Sequence, residues 1–131
     1  MTPGHAAFLG LFLTSSWRAP VLAFLAGLFS ATALPPWSFT LGIFGFSVLF
    51  LLIYRTKTIK KGALIVWIFS FGYHLFGLQW ISNALLIDSE QFAWLLPFSL
   101  VGIPALLAII PSLIIPVLCK ILLPPLWFPV L

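Results

Sequence analysis

The sequence predicts an all-α protein, a polytopic bundle of about four transmembrane helices with the truncated start of a fifth. Composition is the first observation that predicts this class: 63% of the 131 residues are hydrophobic and 6% are charged. Soluble domains average about 25% charged residues, so this chain cannot cover a water-facing surface. Disordered chains need high charge and low hydrophobicity, and this class is excluded too. The chain is therefore predicted to fold within a lipid bilayer.

Continuous apolar runs are the second observation, and they favour helices over a barrel. In lipid every backbone N–H and C=O needs a partner within the protein, which leaves helices or closed barrels. A barrel would show segments of about ten residues that alternate between apolar and polar. The runs Leu41 to Tyr54 and Ala105 to Ile110 are apolar without alternation. Helices are therefore predicted throughout.

Proline-rich and polar breaks divide the chain into its predicted spans. Pro35-Pro36 ends the first span because proline lacks an N–H and clashes with the preceding turn, and the short linker makes spans one and two a helical hairpin. The polar loop at Asp88 to Glu90 separates spans three and four. The tail from Leu122 is the truncated fifth span. Residues 1–131 thus form one helical domain, with spans at about residues 19–34, 39–54, 62–86 and 92–118.

Prolines at seven-residue steps mark the fourth span: Pro97, Pro104 and Pro111, followed by Pro116. Seven residues are nearly two helical turns, so the first three prolines share almost one face. Each removes a backbone hydrogen bond, which predicts a kinked helix whose freed carbonyls find partners on neighbouring helices. Broken helices also form transporter substrate sites, but no paired inverted repeat accompanies this one.

Charge distribution is the third observation, and it predicts the orientation of the bundle. With four spans, all basic residues fall on one side and both acidic residues on the other. The positive-inside rule places the basic side, and with it the N-terminus, in the cytoplasm. The predicted protein crosses the membrane several times and keeps its N-terminus in the cytoplasm. The topology determinants are Arg18, Arg55, Lys57, Lys60, Lys61 and Lys120.

The third span holds the weak candidates for a substrate contact, namely His74, Gln79, Trp80 and Asn83. One interpretation is packing, because small and polar residues join helices in membranes. The other makes His74 a proton carrier or substrate contact, since ionisable groups within membranes are costly and often functional. No span supplies an acidic partner for His74, which argues against a proton relay. Trp80 is more typical of an interfacial aromatic than of a ligand contact.

No catalytic, metal or cofactor motif stands out elsewhere. The single Cys119 excludes an internal disulfide and a multi-cysteine metal site, and no base adjoins it on its helical face to activate it. The two carboxylates share one short loop, where solvation is the expected role. No cofactor or metal is predicted, and the sparse basic residues do not predict a nucleic-acid partner.

Two segments carry a family resemblance. The first is Gly27-Leu-Phe-Ser-Ala-Thr-Ala-Leu-Pro-Pro-Trp37, and the second is Gly72-Tyr-His-Leu-Phe-Gly-Leu-Gln-Trp-Ile81 followed by Ser82-Asn83. Their order around a basic loop resembles the amino-terminal membrane region of bacterial apolipoprotein N-acyltransferase, whose third span ends in a similar Gly-x-x-Trp signature. Leu123-Pro-Pro-Leu-Trp127 resembles the opening of that family's fifth span. The resemblance covers about Ala19 to Trp127, although the repeated prolines depart from the family pattern.

The resemblance implies a larger enzyme. The family has eight spans and a periplasmic nitrilase-like domain with a Glu–Lys–Cys triad. The triad cysteine takes an acyl chain from phospholipid, which then passes to the N-terminal cysteine of a lipoprotein. None of the triad maps onto this sequence, and Cys119 does not match the nucleophile. Whether this chain is an enzyme is therefore uncertain from the sequence.

Two expectations follow for function. The first is a truncated or split-gene product, inactive alone, that provides the acyltransferase membrane scaffold with phospholipid and a separately encoded remainder as partners. The second is a small polytopic inner-membrane protein that acts as a transport or helper subunit. Downstream DNA that encodes further spans and a nitrilase-like domain would favour the first.

The charge pattern predicts where a fused reporter lies. A reporter joined after Lys61 should read as cytoplasmic, because the basic loop stays inside. Alkaline phosphatase and green fluorescent protein fusions measure this directly. An extracytoplasmic signal at this position would overturn the predicted orientation.

Overall fold

The computed structural model describes residues 17–35, 37–56, 58–80 and 93–122. Within these ranges the chain is all-α, as the sequence predicts. Short 3₁₀ turns at Thr40–Ile43 and Ala93–Leu95 lead toward the second and fourth helices. The helices are α1 (Arg18–Ala31), α2 (Phe44–Tyr54), α3 (Ile59–Gly77) and α4 (Phe98–Leu122).

The α1–α2 connection is a tight turn, as Pro35-Pro36 predicts. Thr32 ends α1, and its hydroxyl donates to the Phe29 carbonyl oxygen at 2.6 Å. The Phe39 N–H then donates back to the Thr32 carbonyl oxygen at 2.9 Å. Ser38 has a φ of 46°, in the left-handed region that reverses the chain direction. The two helices therefore form a hairpin.

The third helix differs from the predicted span at its start. It begins at Ile59 rather than at residue 62, because extended Thr58 caps it by accepting a hydrogen bond from the Lys61 N–H at 3.4 Å. Lys60 and Lys61 therefore belong to the first helical turn and not to a loop. The α-helix ends at Gly77, and residues 81–86 of the predicted span lie outside the described residues.

Prolines interrupt the regular hydrogen bonding of α4. Its first turn, Phe98–Gly102, is a π-helical turn, and Ala108 breaks the helix between Leu107 and Ile109. Pro104 and Pro111 lie within four residues of these irregularities and have no N–H to donate. Ser112 donates its hydroxyl to the Ile109 carbonyl oxygen at 2.6 Å.

The fourth helix also extends further than predicted. It continues to Leu122 rather than ending at residue 118, so Lys120 lies inside its last turn. Ser99, near its start, donates its hydroxyl to the Leu96 carbonyl oxygen at 3.0 Å. Both serine hydroxyls therefore bond within their own segment. The prediction that carbonyls freed by the prolines bond to neighbouring helices stays a prediction.

The third helix is the centre of the bundle and contacts each of the other three. Helix α1 runs parallel to α3, because Gly27 adjoins Phe69, and Leu34, in the turn after α1, adjoins Gly77 at the end of α3. Helix α2 returns antiparallel to α1. Helix α4 contacts α3 along its length and brings Pro116, near its own end, to Gly62 at the beginning of α3, so these two are antiparallel.

The core lies between α1, α2 and α3. It is made of aliphatic side chains and one phenylalanine, and α4 closes it with Ile115 and Cys119. Phe46 of α2 packs on Phe69, with ring centroids 5.3 Å apart. Burial of these side chains holds the three helices together. The buried members are Ala23, Ala26, Leu49, Leu52, Ile53, Ile65, Val66 and Phe69.

Glycines allow the helices to approach closely. A Cβ added at Gly27 would overlap the Phe69 carbonyl oxygen, and one at Gly72 would lie 2.8 Å from the Phe24 carbonyl oxygen. These two positions place the backbones of α1 and α3 in direct contact. At the α1–α2 crossing, an added Cβ at Gly45 would overlap the Ser30 hydroxyl. Small residues are the usual means of such contact between membrane helices.

One described helix is long and apolar enough to cross a membrane. Helix α4 has 25 residues and a mean hydropathy of 2.4, and only 17% of its most apolar stretch is buried. Such exposure is unlike the core helix of a soluble domain. Arg18–Ala31 and Thr40–Tyr54 are apolar but shorter than the about 20 residues that span a bilayer. Among the described residues, the structure thus supports a helical bundle with one helix long and apolar enough to span a membrane and two shorter apolar helices.

The α1–α3 contact makes Gly27 the most sensitive helical position. Gly27→Ala should lower the free energy of unfolding in detergent by about 1–3 kcal/mol, as overpacking does. Thermal unfolding followed by circular dichroism measures the loss.

Gly102→Ala is the matched control, because nothing lies within 4 Å of its added Cβ. Alanine should there be neutral or stabilising by up to about 1 kcal/mol, from helix propensity. Equal destabilisation by both substitutions would contradict the close crossing.

Candidate functional site

The family-like segment at the end of α3 lies against the turn between α1 and α2. Trp37 of the turn and Phe76 of α3 have ring centroids 6.5 Å apart. A Cβ added at Gly77 would lie 3.0 Å from Leu34 Cδ1. The two segments that carry the resemblance therefore meet at one end of the bundle.

His74 is half-buried and already bonded within α3. Its Nδ1 lies 2.7 Å from the Ser70 carbonyl oxygen, one turn earlier. A carbonyl oxygen accepts, so Nδ1 is the protonated nitrogen in this bond. The Tyr73 ring stands edge-on to the imidazole, with centroids 5.3 Å apart. This arrangement fits the packing interpretation and satisfies one of the two ring nitrogens.

The remaining weak candidates do not gather around His74. Gln79 and Trp80 are exposed in the short helical stretch after α3, and the Trp80 side chain is 64% exposed. Asn83 lies outside the described residues. The exposure of Trp80 is typical of an aromatic side chain at the membrane interface. A substrate contact by Trp80 or Gln79 stays a prediction.

Catalytic or metal-binding groups are scarce in the described part of the chain. Across residues 17–35, 37–56, 58–80 and 93–122, no three His, Cys, Asp or Glu side chains come together. Cys119 is a free, half-buried thiol that packs against the core. Its surroundings are those of a small apolar side chain.

The basic residues gather at the opposite end of the bundle from Trp37. Arg55 follows α2, Lys60 and Lys61 open α3, and Lys120 lies in the last turn of α4. Arg18 opens α1 at the same end, with its guanidinium 5.5 Å from the Trp17 ring centroid. Lys57 lies outside the described residues. The role of these residues in topology stays a prediction.

Sequence reasoning missed an apolar groove between α1 and α2. Helix spacing gives no signal for it, because its two walls come from different helices that leave room between them. The buried Ser30 hydroxyl near it has no hydrogen-bond partner. The groove is open to the outside and is lined by Leu22, Leu25, Ala26, Phe29, Phe44, Gly45 and Val48.

The family is decided by residues 25–131, which match the description "Apolipoprotein N-acyltransferase N-terminal domain". The chain belongs to this family. The match includes the close-packed glycines of α1 and α3 and the Gly77–Trp80 signature. The resemblance predicted from sequence is thereby confirmed.

Curated relatives agree with the family. The apolipoprotein N-acyltransferase of Brucella suis is 41% identical over 109 residues, which are 76% of this chain and 20% of that protein. That of Allorhizobium ampelinum is 36% identical and again matches 76% of this chain and 21% of its own length. That of Sinorhizobium medicae is 36% identical over 113 residues. The chain therefore spans about a fifth of the length of these relatives. No solved structure matches it.

The His74 geometry predicts a structural role. His74→Leu, placed in a complete acyltransferase that carries this segment, should leave activity intact. It should cost about 1 kcal/mol of stability, the size of one lost hydrogen bond. Growth complementation and thermal unfolding measure the two effects. Lost activity in a variant that still inserts normally would support the proton-carrier or substrate-contact interpretation instead.

Proposed function

We propose that this chain is the membrane scaffold at the amino-terminal end of an apolipoprotein N-acyltransferase of the bacterial inner membrane. The observation that carries the proposal is the family match over residues 25–131. The scaffold anchors and orients the catalytic part, which transfers an acyl chain from phospholipid to the N-terminal cysteine of a lipoprotein.

The exposed surface of the bundle supports insertion into lipid. Large apolar side chains are exposed on every helix, and on α4 they include Leu113 at 65% and Ile121 at 70%. Patches of this extent mark membrane or protein contacts. Helices α1 and α2 are each shorter than the bilayer is thick. The 3₁₀ turn and the proline turn between them add the length that each needs to cross it. All four helices are then spans.

The charges support an orientation with the basic end in the cytoplasm. The described cations lie at the starts of α1 and α3 and at the ends of α2 and α4. These four ends share one side of the membrane if α1 and α3 cross it in one direction and α2 and α4 in the other. Trp37, Gln79 and Trp80 then face the extracytoplasmic side, where the family's catalytic domain lies.

The chemistry itself must come from residues beyond this bundle. Thioester formation needs a nucleophilic cysteine and a base. Cys119 lies at the cytoplasmic end, in the core, on the far side from the proposed catalytic domain. In this proposal the segment anchors and orients the catalytic part and does not itself attack the lipid.

A chimera tests the proposal. Residues 25–131 should replace the matching segment of the Brucella suis enzyme and restore growth to a strain depleted of its own acyltransferase. The 131-residue chain alone should not. Lipoprotein N-acylation, read by mass spectrometry of the lipoprotein N-terminus, confirms the activity.

Two results would contradict the proposal. Rescue by the chain alone would show that it needs no separate catalytic part. A chimera that inserts at normal levels but transfers no acyl chain would remove the scaffold role and favour the transport or helper alternative. A chimera with Gly27→Ala serves as the control whose α1–α3 contact is destabilised. A chimera with Gly102→Ala serves as its matched control, whose packing is unchanged.

A further inference from the structure

Three helices converge at the basic end of the bundle, at Gly62. A Cβ added there would lie 3.3 Å from the Thr56 hydroxyl oxygen and 3.3 Å from Pro116 Cβ. The end of α2, the start of α3 and the last turns of α4 therefore touch at one point. This junction gathers cations from separate parts of the sequence.

Four cations lie at the same end of the bundle as this junction. Arg55 directly precedes Thr56, and Lys60 and Lys61 directly precede Gly62. Lys120 is one helical turn beyond Pro116 on the same face of α4. All four side chains are exposed. Both acidic residues of the sequence lie in residues 81–92, so none of the described residues supplies a carboxylate to neutralise this cluster.

Apolar side chains lie one turn toward the middle of the bundle from these cations. Leu51, four residues before Arg55, is 52% exposed, and Leu64, four residues after Lys60, is 57% exposed. Val117, three residues before Lys120, is 40% exposed. Each helix thus presents a charge at the end and an apolar surface below it, which matches the headgroup and acyl chain of a lipid.

The geometry points to a binding site for an anionic phospholipid of the cytoplasmic leaflet at this end of the bundle, with its phosphate among the cations Arg55, Lys60, Lys61 and Lys120. This inference rests on the proposed membrane orientation but not on acyl transfer. The lipid bound here differs from the acyl donor, because it occupies the opposite leaflet from the catalytic domain. Basic clusters beside membrane helices attract anionic lipids by a similar arrangement.

Spin-labelled lipids test the site directly. The full 131-residue chain is reconstituted in phosphatidylcholine bilayers, and electron spin resonance gives the relative association of labelled phosphatidylglycerol and phosphatidylcholine. One engaged cation contributes roughly a fivefold preference for the anionic lipid, so a preference of at least that size is expected. Raising the salt concentration should weaken it.

Matched variants separate the site from general effects. Arg55→Gln, Lys60→Gln, Lys61→Gln and Lys120→Gln together should lower the preference several-fold, to the residual level that Arg18 and Lys57 provide. Arg55→Lys with Lys60→Arg, Lys61→Arg and Lys120→Arg keeps every charge and should retain it. Circular dichroism of both variants shows that the bundle still folds, since all four side chains are exposed.

Soluble phosphate distinguishes a lipid site from a free-anion site. Inorganic phosphate should compete no better than chloride at equal ionic strength. Stronger competition by phosphate, an unchanged preference in the glutamine variant, or no preference in the unaltered chain would each overturn the lipid site. The spin-resonance experiment measures lipid association without acyl transfer. The lipid-site test can therefore fail while the chimera test succeeds, and the chimera test can fail while the lipid-site test succeeds.

Discussion

The close approach of α1 and α3 is the contact on which the rest of the bundle depends. In lipid there is no hydrophobic force between helices, so association relies on dispersion contacts at short range. Gly27 and Gly72 remove the side chains that would hold the two backbones apart. Because the proline turn after α1 is tight, α2 returns antiparallel along α1. Gly45 of α2 then packs directly against Ser30 of α1. The core residues then meet as a consequence.

The fourth helix obeys a different constraint. It must be apolar enough to span the bilayer and yet fit closely onto α3, and its prolines serve the second need. The buried face of α4 consists of small or compact residues, Ser99, Pro104, Ala108, Ser112 and Pro116, while its large aliphatic side chains point outward. The hydroxyl bonds of Ser99 and Ser112 satisfy carbonyls of their own segment.

Much of the fold follows from the residues themselves. Apolar length and Pro35-Pro36 predicted the helices and the hairpin, and the glycine-containing segments pointed to the family. The predicted helix boundaries were less accurate, because the hydropathy of a segment does not reveal which residue caps the helix. Thr58 draws Lys60 and Lys61 into α3. The meeting of Thr56 and Pro116 at Gly62 was not predictable, since it depends on how α4 packs.

The candidate site shows the same division. His74 stood out because an ionisable group in an apolar span is costly, but its partner, the Ser70 carbonyl, belongs to the backbone and leaves no sequence signal. The groove between α1 and α2 was also invisible, because it arises from the spacing of two helices.

Disulfide formation between α1 and α3 in native membranes tests the central claim most directly. In a chain with Cys119→Ser, the pair Leu34→Cys and Gly77→Cys should crosslink rapidly under mild oxidation, because Leu34 meets Gly77 in the parallel arrangement. The pair Leu25→Cys and Gly77→Cys should not, since Leu25 is exposed and lies more than two turns away along α1. Rapid crosslinking of the second pair, or none of the first, would contradict a bundle built on the α1–α3 contact.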